Sequence, residues 1–578
     1  MMDIQETYRL WMQSPYFDEE TKKELSQIAA DTDEIADRFY RNLEFGTGGL
    51  RGIIGAGTNR MNIYTVRKAT QGLANYIHKA NVPNKSVAIA YDSRHKSAQF
   101  AQEAALCLAA NGIKAHVFIS LRPTPMLSFA VRQLGCTAGI AITASHNPAQ
   151  YNGYKVYWED GGQITPPRDQ DIIKEVNAVT DFGQVKAMSK EDAVKAGLYA
   201  VIPDEIDDAY MQELKKLLIQ PEVLKEQAGH LKIVYTPLHG TGNLPVRRIL
   251  KELGFTQVYV VEEQELADGD FPTVSSPNPE DKDAFSLALA LARQVDADIV
   301  LATDPDADRL GVYAKDALDG EYKSFTGNMS GMLVLEYILS RKKALGMLPP
   351  NGAVVTTIVS GKMAKPITQE YGVTLFETLT GFKYIGEQIK LFEQRGSYEF
   401  LFGYEESYGC LPGTHARDKD AVAAVMALCE VAAWCRQQGM TLCDQMERLY
   451  KKYGYYQETL YTVTLKGQDG AKKIARMMER IREGAPRQIG PAQVLWFTDY
   501  KKGIRYDFCG GKEGPAGLPR SNVLYFGLEG EGFFCIRPSG TEPKIKFYIG
   551  VRAEGGEAAR QKLCQIKKAL LELVEGDR

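Results

Sequence analysis

Three successive α/β domains around a central cleft, followed by a C-terminal α+β domain, are the architecture this sequence predicts. Short apolar runs of strand type alternate with helix-type periodicity in three consecutive groups. Several of the runs stop at loops of Gly, Pro, Asp and Asn, and open α/β sheets bind ligands at such strand ends. From about residue 456 the pattern becomes strict alternation, the mark of antiparallel strands. At 578 residues the chain also exceeds what one core supports.

In order, residues 1–44 read as amphipathic helix, with Trp11, Phe17, Leu25, Ile28 and Phe39 spread between acidic stretches. Phe45-Gly-Thr-Gly-Gly-Leu-Arg51-Gly52 follows. It fits neither Gly-x-Gly-x-x-Gly nor the P-loop. It is either a plain turn or a loop whose glycines let backbone approach a ligand while Arg51 supplies charge. The first group is strand Val87–Tyr91, helix Ala98–Ala110, strand His116–Ile119, helix Pro125–Leu134 and a strand over Ile140–Ile142. Asp92-Ser-Arg94-His95 and Arg122-Pro-Thr-Pro lie at its strand ends and are expected to support the site. The second is strand Leu231–Tyr235, helix Leu244–Leu253, strand Val258–Val261, helix Ala284–Gln294 and strand Asp298–Ala302. The third is strand Ala353–Ile358, helix Lys362–Glu370, strand Val373–Phe376, helix Phe382–Phe392, strand Tyr398–Phe402 and helix Asp420–Gln437. Last come strands Thr459–Thr464 and Phe533–Ile536 and a helix over Glu557–Val574. The expected domains are 1–215, 216–325, 326–455 and 456–578. Residues 165–230 read as charged helix without a motif, and 465–530 carry little signal.

A net charge of −4, with 25% charged and 44% hydrophobic residues, offers no bulk attraction for nucleic acid or acidic membranes. Met1-Met2-Asp3-Ile-Gln-Glu lacks the basic start and apolar core of a signal peptide. The most apolar helical run, Ala421–Cys429, breaks at Glu430, too short for a bilayer. Nine scattered cysteines, never Cys-x-x-Cys, imply reduced buried thiols in a cytoplasmic protein. Neither a monomer nor a dimer is favoured.

Four strand-end loops carry chemistry. In Thr143-Ala-Ser145-His146-Asn-Pro148, small residues lead out of a buried strand and a turn presents Ser145 with His146 beside it. A solvated polar turn is the alternative. In Asp304-Pro-Asp306-Ala-Asp308-Arg309, three carboxylates at alternate positions repel unless a cation joins them, and all-oxygen ligands select a hard metal such as Mg²⁺. An EF-hand needs Gly and Glu where Arg309 and Lys315 stand. In Gly403-Tyr-Glu405-Glu-Ser407, an extended backbone points Glu405 and Ser407 the same way, two partners for vicinal sugar hydroxyls; an exposed acidic loop reads equally well. In Arg537-Pro-Ser539-Gly540-Thr541-Glu-Pro-Lys544, amides and hydroxyls can wrap an anion that Arg537 grips, or form a simple reverse turn.

Taken together and in this order, these strings resemble the loops of the α-D-phosphohexomutase superfamily over nearly the whole chain. The resemblance implies that Ser145 carries the transferable phosphoryl group and that Mg²⁺ bridges it to Asp304, Asp306 and Asp308. It implies active-site roles for Arg51 and Lys419, sugar contacts for Glu405 and Ser407, sugar recognition at Thr380-Gly381, and a distal phosphate on Arg537, Ser539, Gly540 and Thr541. Arg51, Arg309 and Lys155 are the candidates to share the phosphoryl charge. Of the candidate bases His146, Lys155 and Lys419, the two lysines are favoured, because a loop histidine is more often structural. The implied reaction interconverts glucose 1-phosphate and glucose 6-phosphate through a glucose 1,6-bisphosphate. Pentose or mannose phosphates are the alternatives, and Tyr408-Gly409, where mannose-accepting relatives often carry Gly-His, moves mannose back. Different in class are a sugar-phosphate-binding protein without turnover and a phosphatase or bisphosphate synthase.

Overall fold

Each of the three N-terminal helices, Ile4–Gln13, Glu19–Gln27 and Thr32–Phe39, starts at an aspartate whose carboxylate accepts first-turn backbone N–H groups. The structure is a computed structural model that describes residues 3–44, 49–465, 467–539 and 544–575. The helices bury Trp11, Phe17, Leu25, Ile35 and Phe39 against Tyr64, with Trp11 and Phe17 stacked at 4.1 Å.

The first sheet has six strands in the order Gly49–Ile53, Tyr151–Trp158, Ala138–Ile142, Ser86–Tyr91, Lys114–Val117, Tyr199–Val201. The last four run parallel, and the first two add on antiparallel. Three of these strands were not expected; Gly49–Ile53 lies in the stretch read as a glycine-rich loop. Tyr151–Trp158 is covered on both faces and so shows no polar alternation. Tyr199–Val201, within the stretch read as helical, is only three residues long.

Five strands form the second sheet, in the order Tyr322–Phe325, Leu310–Lys315, Ile299–Thr303, Lys232–Thr236, Gln257–Val260. The third orders Thr374–Thr378, Gly352–Thr357, Glu399–Tyr404 and the short Cys410–Leu411. One core joins these two sheets: Ile233 and Leu301 on one side and Val354 and Phe402 on the other meet around Val425, Leu428 and Cys429 of the helix Ala421–Gln437. That contact explains the apolar run at 421–429 as a buried helix. Among the described residues no helix is long and apolar enough to cross a membrane.

The fourth sheet is antiparallel, running Tyr455–Thr464, Lys544–Ala553, Phe533–Pro538, Leu524–Leu528, Ala492–Asp499, Ile504–Asp507, Lys512–Pro515, with Gln488–Ile489 beside Ala492–Asp499. Ile474, Met478, Ile566 and Leu570 of its two helices cover one face. On the other face Tyr525, Phe533 and Tyr548 pack against Ile358, Val359 and Leu379 at strand ends of the third sheet. The stretch 465–530 therefore completes this sheet.

Candidate active site

The strand Ala138–Ile142 delivers Ser145 to the cleft in a left-handed conformation, φ 52°. Its N–H donates to Thr143 Oγ1 at 2.8 Å, closing a local turn. The loop is clamped from below. The Arg94 guanidinium, fully buried, donates to the carbonyls of Ser145, Asn147, Pro148 and Tyr151. Asp92 sits 3.4 Å from Arg94 Nε, and the Phe271 ring lies 5.0 Å from the guanidinium. One arginine thus holds four carbonyls that would otherwise splay, which leaves the serine aimed in one direction.

That direction is the second sheet's carboxyl end. Ser145 Oγ donates to Asp304 Oδ2 at 2.8 Å and lies 3.1 Å from His146 Nδ1. Ala307, at φ 49°, curls the strand end so that the Asp304, Asp306 and Asp308 carboxylates lie within 4.8 Å of one another, all buried. The N–H groups of Asp308 and Arg309 cap Asp304 Oδ1 at 3.1 and 3.0 Å. Lys155 Nζ pairs with Asp306 at 2.8 Å, Lys419 Nζ with Asp308 at 3.1 Å, and Thr124 Oγ1 donates to Asp306 at 3.1 Å. Burial, then the Asp306 and Asp308 charges, push the Asp304 carboxyl well above the usual range. Burial raises Asp306 too, but Lys155 and then Lys419 outweigh it and hold that carboxyl low. Asp306 Oδ1 and Asp308 Oδ1 are buried with no hydrogen-bond partner among the described residues. Unsatisfied buried carboxylate oxygens beside a third carboxylate are what a hard divalent cation requires of a protein.

The remaining groups face one another across a cleft of about 840 Å³, lined from all four sheets by residues that include Arg51, His146, Arg309, Ser407, Arg537 and Lys546. Arg51, on Gly49–Ile53, donates to Asn147 Oδ1 at 3.3 Å. Withdrawal of the His146 ring from water, then Arg309 and Arg51, push its pKa well down, so the imidazole is neutral. Lys155 and Lys419 go the other way: burial favours proton loss, but the aspartates around them outweigh it and keep both charged. Glu405 is buried, and Gly381 N–H donates to its Oε1 at 2.9 Å. Ser407 Oγ lies 3.5 Å from Glu405 Oε2, so the two share one side of their loop, and Thr380 is half-buried beside Gly381. Glu406, next along, is pushed up to about 7 by burial and then by Glu405. On the fourth sheet Ser539 lines the cleft and Arg537 pairs in register with Lys546. Gly540 and Thr541 lie outside the described residues.

Profiles of the phosphoglucomutase/phosphomannomutase family match in chain order, alpha/beta/alpha domain I over residues 42–182, domain II over 208–320 and domain III over 326–453. The chain belongs to this family. It is 37% identical to a phosphoglucomutase of Staphylococcus epidermidis over 534 residues, 92% of this chain and 95% of that one. A phosphoglucomutase of Staphylococcus aureus is likewise 37% identical over 532 residues, 92% and 93% of the two chains. Among solved structures, the open form of parafusin, a phosphoglucomutase from Paramecium, aligns with a TM-score of 0.67 at 18% identity over 93% of this chain and 95% of that one. A phosphoglucomutase/phosphomannomutase family protein of Burkholderia thailandensis aligns at 0.64, with 19% identity over 92% and 98%. These last two likenesses are of fold.

Within this family architecture the sequence motifs converge. Arg94 and Thr124, in loops expected to support the site, hold the serine loop and Asp306, whereas Glu280 and Lys546 were not expected there. Lys546 had a local signal: Lys544, Lys546 and Tyr548 alternate with the buried Ile545 and Phe547, which puts all three on the cleft face.

Proposed function

We infer that this chain is an intramolecular phosphotransferase that interconverts α-D-glucose 1-phosphate and glucose 6-phosphate. The observation that carries the reading is the buried Ser145 hydroxyl, 2.8 Å from an aspartate of the triad, beside a cleft lined with cations from the first, second and fourth sheets. Identity of 37% to phosphoglucomutases over 92% of the chain supports the same reaction. Phosphorylated Ser145 donates its group to the free hydroxyl of the sugar monophosphate, which becomes glucose 1,6-bisphosphate. The bisphosphate turns round, and its other phosphate returns to Ser145. Positioning and charge neutralisation dominate such a transfer.

Asp304, Asp306 and Asp308, with the Ser145 side chain, would hold Mg²⁺, and their all-oxygen set with two unsatisfied oxygens fits it. When bound, the ion supplies positive charge for the phosphoryl oxygens. Arg51 and Arg309 add to that charge, while Lys155 and Lys419 orient the aspartates. Glu405 and Ser407 accept and donate to the sugar hydroxyls beside Thr380-Gly381. Arg537, Ser539 and Lys546, with Gly540 and Thr541, hold the phosphate that is not moving. In the first transfer one proton leaves the sugar hydroxyl and one reaches Ser145 Oγ; in the second, Ser145 Oγ gives up a proton and the freed sugar oxygen gains one. His146 is the group for it: its Nδ1 lies 3.1 Å from Oγ, the ring lines the cleft, and a neutral imidazole can accept at one nitrogen while donating from the other. Lys155 and Lys419, favoured from sequence, are occupied as charged partners of Asp306 and Asp308. Nine free cysteines accord with work in the reducing cytoplasm.

The test is ³¹P NMR with Mg²⁺, a trace of glucose 1,6-bisphosphate and equimolar glucose, mannose and ribose 1-phosphates. Conversion of glucose 1-phosphate first is the expected result. Ribose or mannose leading would reassign the substrate on the same residues, and no conversion by folded protein would favour a binding protein.

A further inference from the structure

Arg309 follows directly on the aspartate cluster, and its partner comes from elsewhere. Its guanidinium pairs with Glu280, on the loop Pro277-Asn278-Pro279-Glu280. Two prolines restrict this loop, and the Asn278 side chain accepts the Glu280 N–H at 3.2 Å. Pro279 packs so closely on the strand Leu310–Lys315 that a Cβ on Gly311 would stand 2.7 Å from the Pro279 carbonyl oxygen. Ser276 ties the same loop to the serine loop by donating to the His146 carbonyl at 2.7 Å. Glu280 is therefore held opposite Arg309 by its backbone. The pair stays open to ligand: the side chains are 26% and 16% exposed, and both line the cleft.

We propose that Glu280 is a positioning residue that exchanges with a substrate phosphate for Arg309, so that the bisphosphate can release the transfer end of the cleft and turn. The proposal rests on the function inferred above. A bisphosphate in the cleft meets cations from different sheets, Arg51 and Arg309 on the Ser145 side and Arg537 and Lys546 on the fourth sheet. If both grips held without a competitor, neither phosphate would let go before the other. Lys155 and Lys419 are engaged by the buried aspartates, whereas Arg309 has a cleft-facing carboxylate, Glu280, to return to. Each departure of phosphate from Arg309 then restores an existing ion pair in place of a bare buried charge.

Glu280→Gln removes the competitor while keeping size. Calorimetric titration with glucose 1,6-bisphosphate should show binding about fivefold tighter than wild type, the worth of one partly exposed ion pair. KM and kcat for glucose 1-phosphate should fall together, because release from the transfer end slows. In an Arg309→Gln background, Glu280→Gln should change the affinity no further. Weaker or unchanged bisphosphate binding in Glu280→Gln, or equal tightening without Arg309, overturns the exchange while leaving the function intact. A wild type that neither binds the bisphosphate nor isomerises glucose 1-phosphate overturns both.

Discussion

Glu458 offers a test of how the C-terminal sheet is seated. It lies on the strand Tyr455–Thr464 and lines the cleft where that sheet meets the third one. A Cβ built on Gly361 would stand 2.9 Å from Glu458 Oε1, and Gly361 N–H is already taken by Asn328 Oδ1 at 2.8 Å. The nearby cation, Lys362, is committed to Glu377 and lies 5.1 and 5.5 Å from the Phe533 and Tyr525 ring centroids. Burial therefore dominates, against weaker help from Asn328 and Lys362, and raises the Glu458 carboxyl to about 7 from an ordinary 4.5. A carboxyl with a raised folded-state pKa contributes stability that is complete below the unfolded value and lost as pH rises through the folded one. Between pH 4.5 and pH 8 the loss is about 3 kcal/mol. Glu458→Gln cannot ionise, so it should gain most of that at pH 8, read as a rise in Tm of the C-terminal transition. Near pH 5 its melting temperature should match wild type. Scanning calorimetry at the two pH values decides; equal shifts at both, or a less stable variant at pH 8, would refute the burial argument.

Three further outcomes concern the chemistry. Ser145→Ala should reduce turnover by at least about a thousandfold, since no other group can carry the phosphoryl intermediate; full activity in the purified variant would sink the mechanism. Asp306→Asn removes a charge whose attraction for a cation at about 4 Å is ~4 kcal/mol at an effective dielectric near 20. Release of Lys155 offsets part of this, so calorimetric titration should find Mg²⁺ bound about a hundredfold more weakly, and an unchanged affinity would exclude Asp306 as a ligand. Arg537→Ala should raise KM for glucose 1-phosphate roughly ten- to a hundredfold, the worth of about 1.5–3 kcal/mol for a charged hydrogen bond, with a smaller effect on kcat. An unchanged KM would remove Arg537 from the distal phosphate.

What was legible in the sequence was local. The Ser145 and aspartate loops stand out because an apolar strand ends abruptly in small or acidic residues, and each follows a strand with a parallel neighbour in a mixed sheet. The helix expected over Asp420–Gln437 was readable from its apolar run, and Asp420 proves to be its cap. The hairpin strand Tyr151–Trp158 escaped because burial on both faces erases its period. Arg94 was readable as a strand-end residue supporting the site, but not its four acceptors, which lie 51–57 residues away. Glu280 has no local mark either, since its role depends on Arg309, 29 residues on.

The ion pairs at the floor of the cleft cross between sheets, and that fact bears on why they persist. Lys155 comes from the first sheet and reaches Asp306 at the end of the second; Lys419, between the third sheet and the helix Ala421–Gln437, reaches Asp308. Taking such charges out of water costs several kcal/mol per ion, and apolar replacements are often as stable. Stability alone therefore gives weak reason for them. Their effect is on geometry. Each lysine fixes an aspartate oxygen on one side and leaves Oδ1 of the same carboxylate unsatisfied. The three carboxylates meanwhile gather within 4.8 Å of one another, with Ser145 bonded to the first of them. A site assembled in this way exists only when the sheets are packed together, so its chemistry is a property of their interfaces rather than of any single domain.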